Sequence, residues 1–258
     1  MNFENMALSL GHFFLMFLRV SAIFTISPVF GRRNVPSVAK AGLSLLLTAI
    51  LITVYPPQEN PDRSLLEFFV ACIKQITVGL VVGITTTCFF AAAATAGHVI
   101  DIQVGFSVAS TFDPQFGTQV SLSGNILNYA LLVCFFLADG HHMLIKILGE
   151  SFRLIPVDNV NIRPETAMAF AEIFIKTFII SIQMAMPVIA ASLISELCMG
   201  ILMRLVPQIN FFVIGFPVKI ALGLFILFAM IPAFVRSSSG LFDNMFNAVG
   251  SMFEGMVA

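Results

Sequence analysis

The chain reads PQINFFVIGFPVK over residues 207–219, and this stretch lies between two apolar segments. Pro217 removes a backbone donor and Gly215 weakens a helix, so a lipid-facing helix would not contain this set. A solvent loop would not contain so many bulky apolar residues either. Membrane proteins tolerate irregular backbone only where other protein surrounds it. The stretch therefore predicts a broken, protein-buried re-entrant or helix-hairpin turn.

The composition is that of a protein that cannot keep its surface in water. Hydrophobic residues make up 58% of the chain and charged residues 10%, and the mean hydropathy is +0.97. Soluble domains have about 45–50% apolar and about 25% charged residues. We therefore predict an all-α integral membrane protein. The net charge of −1 gives no reason to expect nucleic acid as a partner, whereas membrane lipid is an expected one.

Six apolar segments are each near or above the about 20 residues that cross a hydrocarbon core. The first contains Arg19 and no small-residue cleavage site, so we expect a spanning helix rather than a cleaved signal peptide. Pro187 is expected to break the fifth segment. The six predicted segments are Ala7–Pro28, Val38–Tyr55, Phe68–Ala96, Ile126–Leu148, Ala167–Met203 and Val218–Val235.

Charges in the connections predict an orientation. Arg32 and Lys40 flank the first connection, Arg204 and Lys219 flank the fifth, and the second is acidic. The positive-inside tendency places the first and fifth connections in the cytoplasm and both termini outside.

Two patterns predict how helices pack. Gly79 and Gly83 have the small-xxx-small spacing that lets two backbones approach closely. From residue 241 onward, bulky apolar residues recur at helical spacing, which predicts an amphipathic C-terminal helix lying against partners or a membrane surface.

Ionisable residues inside apolar segments are costly and often functional. Glu172 and Lys176 are four apart, so they share a helix face and can pair. Aligned groups of this kind would suit a proton or ion pathway. The alternative, which we favour, is that they meet water or opposite charges on neighbouring subunits. The residues concerned are Arg19, Lys74, Asp139, Glu172, Lys176 and Glu196.

No motif for catalysis, a cofactor or a metal is found in the sequence. Adjacent His141 and His142 diverge by about 100° on a helix, and with His98, Asp101 and Asp139 they match no zinc motif. A nucleophile elbow, a phosphate loop and a dinucleotide fingerprint are also absent from the sequence. We therefore predict no catalytic residue, no cofactor and no metal.

The stretch GFSVASTFDPQFG over residues 105–117 is the second unusual element. It is neither a short polar turn nor a spanning helix, because glycines and Asp113-Pro114 interrupt it. Two interpretations remain open: an irregular loop that places bulky apolar groups into a cavity, or a membrane-surface loop that dips phenylalanines into lipid. The residues concerned are Gly105, Phe106, Phe112, Asp113, Pro114 and Phe116.

These two elements resemble the FliR family of flagellar type III export-gate proteins, whose virulence-system counterparts are the SctT proteins. The resemblance covers essentially the whole chain in length and segment pattern. It is most specific at GFS and FDP of the residue 105–117 stretch and in the later turn. The turn residues that carry it are Pro207, Gln208, Asn210, Gly215, Phe216, Pro217 and Lys219.

The resemblance implies a fold and partners. The chain would be a single export-gate membrane domain in a helical assembly, with a FliP-like part over about 1–150 and a FliQ-like part over about 151–258. FliP, FliQ and FlhB would be its partners, and unfolded flagellar proteins would pass through the assembly. It would lie in the bacterial inner membrane at the flagellar basal body, partly raised toward the periplasm.

The resemblance also implies roles for the two elements. Residues 105–117 would plug the closed channel, and residues 207–219 would contact FliQ and FlhB near the cytoplasmic mouth. A dewetted apolar constriction blocks ions and can still be pushed apart, which suits such a gate. The alternatives are a secondary transporter of a small solute that uses Glu172, Lys176 and Glu196, and an intramembrane hydrolase that uses His98 or Asp101.

Overall fold

The computed structural model describes residues 3–32, 34–57, 64–106, 121–161, 163–206 and 215–256. Secondary structure in these ranges is helical, as the sequence predicts, and includes α1 (Phe3–Ile26), α2 (Ser37–Val54), α3 (Leu65–Val104), α4 (Leu122–Leu137), α5 (Gly140–Leu154), α6 (Pro164–Leu205) and α7 (Phe216–Glu254). Five of these helices are long and apolar enough to cross a membrane, and α4 with α5 would supply a sixth if the bent pair forms one span.

The start of α3 shows why a helix begins where it does. The Ser64 backbone N–H donates to the Glu67 carboxylate at 2.9 Å, and the Glu67 N–H faces the Ser64 hydroxyl at 3.4 Å. This capping box satisfies two donors that the first turn leaves free. Hydropathy alone placed this start three residues later, at Phe68.

The fourth predicted segment is interrupted. The sequence predicts one helix over Ile126–Leu148, whereas α4 ends at Leu137 and α5 begins at Gly140. Asp139 between them has a φ of 53°, in the left-handed region that ends a right-handed helix. Hydropathy does not report backbone conformation, which explains the error.

In the fifth segment a predicted break is absent. The expected break at Pro187 is wrong, because α6 continues through it from Pro164 to Leu205. Proline removes one helical hydrogen bond, and helices in membranes tolerate this loss where their surroundings compensate the freed group.

Contacts divide the chain into two compact units, and the first comprises Met1–Cys88, Asp139–Phe174 and Phe242–Ala258. The small-xxx-small prediction is confirmed here: a Cβ at Gly79 would lie 2.6 Å from the Arg19 carbonyl oxygen, and one at Gly83 would lie 2.9 Å from Ile26 Cβ. The core of this unit includes Met16, Val20, Val78, Val82, Leu148, Phe152, Val249 and Phe253.

The C-terminal tail belongs to this core. The predicted helix is present as the end of α7, but Phe242, Met245 and Val249 are buried within the unit. Its apolar face therefore packs against its own chain, rather than against a partner or a membrane surface. Helical periodicity identifies an apolar face but not the surface that covers it.

The second unit comprises Phe89–Ala138 and Ile175–Leu241. A Cβ at Gly97 of α3 would overlap the backbone of Gly124 in α4, so only glycine permits this approach. Ala93 and Ala96 are fully buried beside it. Close backbone packing of this kind is typical of helices in membranes.

Candidate functional site

The two unusual stretches of the sequence are described in part. The structure includes Gly105 and Phe106 at the start of the predicted plug, and Gly215, Phe216, Pro217 and Lys219 at the end of the predicted turn. The other predicted residues, Phe112, Asp113, Pro114, Phe116, Pro207, Gln208 and Asn210, lie outside the described residues.

Gly105 ends α3 in a conformation that requires glycine. Its φ is +98°, and its N–H donates to the Asp101 carbonyl at 3.0 Å. A Cβ at this position would also lie 3.0 Å from Cζ of Phe216. The start of the predicted plug therefore packs directly against the end of the predicted turn, a contact that joins the two motifs.

The predicted turn leads directly into α7. Gly215 is in a π-helical turn, and Pro217 is the second residue of α7. A proline at this position fits such a junction, because π-turns and prolines both occur where the regular helical hydrogen-bond pattern changes. Farther along α7, Gly223 lies against the Val104 side chain, and a Cβ at Gly223 would overlap it. These contacts fix the start of α7 beside the end of α3.

Lys219 pairs with one of the intramembrane acids. Its ammonium donates to a carboxylate oxygen of Glu196 in α6, and the two side chains are 16% and 42% exposed. The sequence placed these residues in separate groups, one in the turn and one among the ionisable residues. Pairing within the chain accounts for both charges without a neighbouring subunit.

Asp101 links the two helix ends that flank the predicted plug. One carboxylate oxygen accepts from the Ser121 hydroxyl at 2.7 Å, and the other accepts from the Ser123 N–H at 3.1 Å. Ser121 in turn caps α4 by accepting from the Gly124 N–H at 2.9 Å. The end of α3 and the start of α4 are therefore joined on either side of residues 107–120.

Ser121 and Ser123 are functional candidates that the sequence analysis missed. A signal was available, because a serine immediately before an apolar helical run is a typical N-cap. Asp101 accepts from the hydroxyl of this N-cap serine and so holds the start of α4 in position.

Arg19 is completely buried in the first unit, and its partners are uncharged. Nε donates to Gln75 Oε1 at 2.7 Å, and Nη1 donates to the carbonyls of Ser151 and Ile155 at 2.9 Å each. The guanidinium carbon lies 4.4 Å from the centroid of the Phe152 ring. Arg19 thus binds the carbonyl end of α5, where the helix dipole favours a cation.

The remaining ionisable residues are not part of this arrangement. Lys74 is half-buried, whereas Asp139, Glu172 and Lys176 are exposed on the chain's own surface. The predicted pairing of Glu172 with Lys176 stays a prediction.

The residues at the break before α5 are closer together than expected. The ring centroids of His141 and His142 are 4.0 Å apart, although adjacent positions on a helix are about 100° apart around its axis. His142 Nδ1 lies 3.2 Å from Asp139 Oδ1. One nitrogen or oxygen atom from each of Asp139, His141 and His142 lies within 4.8 Å of the others.

The spanning helices, the buried polar contacts within them and the two interrupted stretches define an all-α integral membrane protein. Residues 10–245 match the family described as bacterial export proteins, family 1. The chain is 38% identical over 221 residues to the flagellar biosynthetic protein FliR of Bacillus subtilis (strain 168), which covers 83% of this chain and 84% of the relative.

Relatives with the same name come from other bacteria as well. The protein from Escherichia coli (strain K12) is 29% identical over 94% of this chain and 92% of its own length. The one from Aquifex aeolicus (strain VF5) is 30% identical over 88% of this chain and 87% of its own length. This chain belongs to the FliR family of bacterial export proteins.

Proposed function

We propose that this chain is a pore-forming, non-enzymatic subunit of the flagellar type III protein export gate. It would help to assemble and close the channel through which unfolded flagellar proteins leave the cytoplasm. Family membership supports the export role. The observation that carries the gate role is the contact between Gly105, which begins the proposed plug, and Phe216 in the second motif of the family.

A plug needs a rigid base and a soft obstruction. The base is supplied by the Asp101 bonds to Ser121 and Ser123, which hold the two flanking helices together. The obstruction would be the rings of Phe106, Phe112 and Phe116. Apolar rings exclude ions by dewetting and yield to a polypeptide without needing specific hydrogen bonds.

FliP, FliQ and FlhB are the proposed partners. Only 11% of the residues of the α2 span are buried within the chain, so its apolar side chains need lipid or protein around them. We further propose that residues 1–150 correspond to a FliP-like part and residues 151–258 to a FliQ-like part. The assembly would lie in the bacterial inner membrane at the flagellar basal body, partly raised toward the periplasm.

Deletion of residues 106–116 tests the plug. The variant is expressed with the partner subunits, and membrane depolarisation is followed with a potential-sensitive dye. We expect the complex to co-purify as the wild type does and the membrane to become leaky to ions. The double variant Phe112→Ala/Phe116→Ala should leak in the same direction.

Phe225→Ala/Phe228→Ala is the matched control, because these two rings are exposed on α7 and lie outside the proposed plug. This control should leave the membrane impermeable to ions and the membrane potential unchanged. Normal membrane potential in both plug variants, with the complex intact, would refute the plug.

A further inference from the structure

The break between α4 and α5 contains an arrangement that the gate function does not use. Asp139 is the residue before α5, where an aspartate usually accepts a hydrogen bond from the first turn. Its side chain makes no such bond. Instead, its Oδ1 lies 3.2 Å from Nδ1 of His142.

The backbone at Asp139 places its side chain. Among the described residues other than glycine, it alone has a positive φ, at 53°. Aspartate is one of the few residues with a side chain that adopt this conformation, here just after the last residues of α4. The result is that its carboxylate lies beside two imidazoles instead of capping α5.

The donor set is suited to a metal ion. One donor atom from each of Asp139, His141 and His142 lies within 4.8 Å of the other two. Imidazole nitrogen and carboxylate oxygen bind Zn²⁺ at about 2.0–2.2 Å. The side chains of Asp139 and His142 are 75% and 70% exposed, so they can rotate inward by the small amount that coordination requires.

We propose that Asp139, His141 and His142 form a binding site for one divalent transition-metal ion, with Zn²⁺ as the best match. Three protein ligands leave a fourth tetrahedral position, which water would fill. The ion would tie the residue before α5 to the first turn of α5, and so stabilise the start of this helix. Mg²⁺ would bind poorly, because it prefers oxygen ligands in octahedral geometry.

The test uses the full chain, purified in nanodiscs with an affinity tag that contains no histidine. Zn²⁺ is titrated by calorimetry, and Co²⁺ is titrated by visible absorption, which reports the ligands directly. We expect saturable binding of one ion per chain, unaffected by excess Mg²⁺. His142→Ala and Asp139→Gly should each weaken binding at least tenfold and change the Co²⁺ spectrum.

Asp139→Gly separates coordination from folding, because glycine adopts a positive φ without penalty. The matched control is His98→Ala, which removes an exposed histidine of α3. This control should bind both ions as the wild type does. Absence of saturable binding to the wild type, or equal losses in His98→Ala and His142→Ala, would overturn the proposal.

Discussion

Arg19 illustrates how one side chain can join distant parts of the chain. Its guanidinium contacts Gln75 in α3, and the carbonyls that it binds are 132 and 136 residues away in sequence. Arginine suits this position better than lysine, because its planar fork can serve several acceptors at once. Gln75 also donates to the Val157 carbonyl at 2.8 Å, which extends the network.

Arg19→Met is expected to destabilise the protein strongly. The substitution roughly preserves volume but removes the Arg19 donor from Gln75 Oε1 and from the Ile155 carbonyl, at about 1–3 kcal/mol for each buried group left unsatisfied. The Ser151 carbonyl still accepts from the Ile155 N–H at 3.0 Å. The thermal unfolding midpoint in detergent should fall by several degrees or more. Arg153→Met is the control, because Arg153 is exposed on α5 and its loss should change stability by about 0.5 kcal/mol or less. Equal midpoints for the two variants would show that the network contributes nothing.

Gly105 is under two separate constraints, one from its own backbone and one from the Phe216 ring. Gly105→Ala should impair flagellar export, because a Cβ is strained at a φ of +98° and lies 3.0 Å from that ring. Phe216→Ala removes the steric contact but not the backbone strain. The double variant should therefore recover part of the loss beyond the single Gly105→Ala, as measured by flagellin in the culture medium. Wild-type export from Gly105→Ala would mean that the contact is dispensable.

Sequence reasoning found Gly105, Phe216, Glu196 and Lys219 as residues of interest but not their contacts. Composition and spacing show that a glycine or a charge is unusual in its segment. They do not show which residue on another helix lies beside it. Gln75 was missed for a related reason, since an uncharged polar residue is less conspicuous in an apolar run than an ion.

Helix ends were predicted less well than helix positions. Hydropathy placed five of the six predicted spanning segments on single helices and missed the break in the fourth, and capping residues decided where α3 and α4 begin. The break at Asp139 and the continuity of α6 through Pro187 depend on local backbone conformation and surroundings. Proline and glycine bias that conformation without deciding it.

The close approach of α3 and α4 at Gly97 can be tested by substitution. Gly97→Ala should destabilise the protein by about 1–3 kcal/mol, because its Cβ would overlap the backbone of Gly124 and force the helices apart. Gly149→Ala is the matched control in α5, where a new Cβ meets nothing within 4 Å. It should be neutral or stabilising by up to about 1 kcal/mol. The thermal unfolding midpoints of the two variants are compared. An equal loss of stability in Gly149→Ala and Gly97→Ala would contradict the close approach of α3 and α4.

Assembly distinguishes the proposed gate from a solute transporter. Native mass spectrometry of the solubilised complex should show this chain together with several copies of FliP and FliQ. In proteoliposomes the isolated chain should transport no small solute. Solute transport by the chain alone, abolished by Glu172→Ala, would favour the transporter instead.

Four properties were readable from the order of residues: the membrane class, all but the fourth of the predicted spanning segments, the Gly79–Gly83 packing and the family motifs. These properties depend on local composition and helical period, which a linear chain displays directly. Four features could be identified only in the folded structure. They are the burial of the C-terminal apolar face, the partners of Arg19, the Asp101 bonds and the grouping of Asp139 with two histidines. Each depends on which surfaces meet, or on a backbone angle, and neither is encoded in hydropathy or spacing.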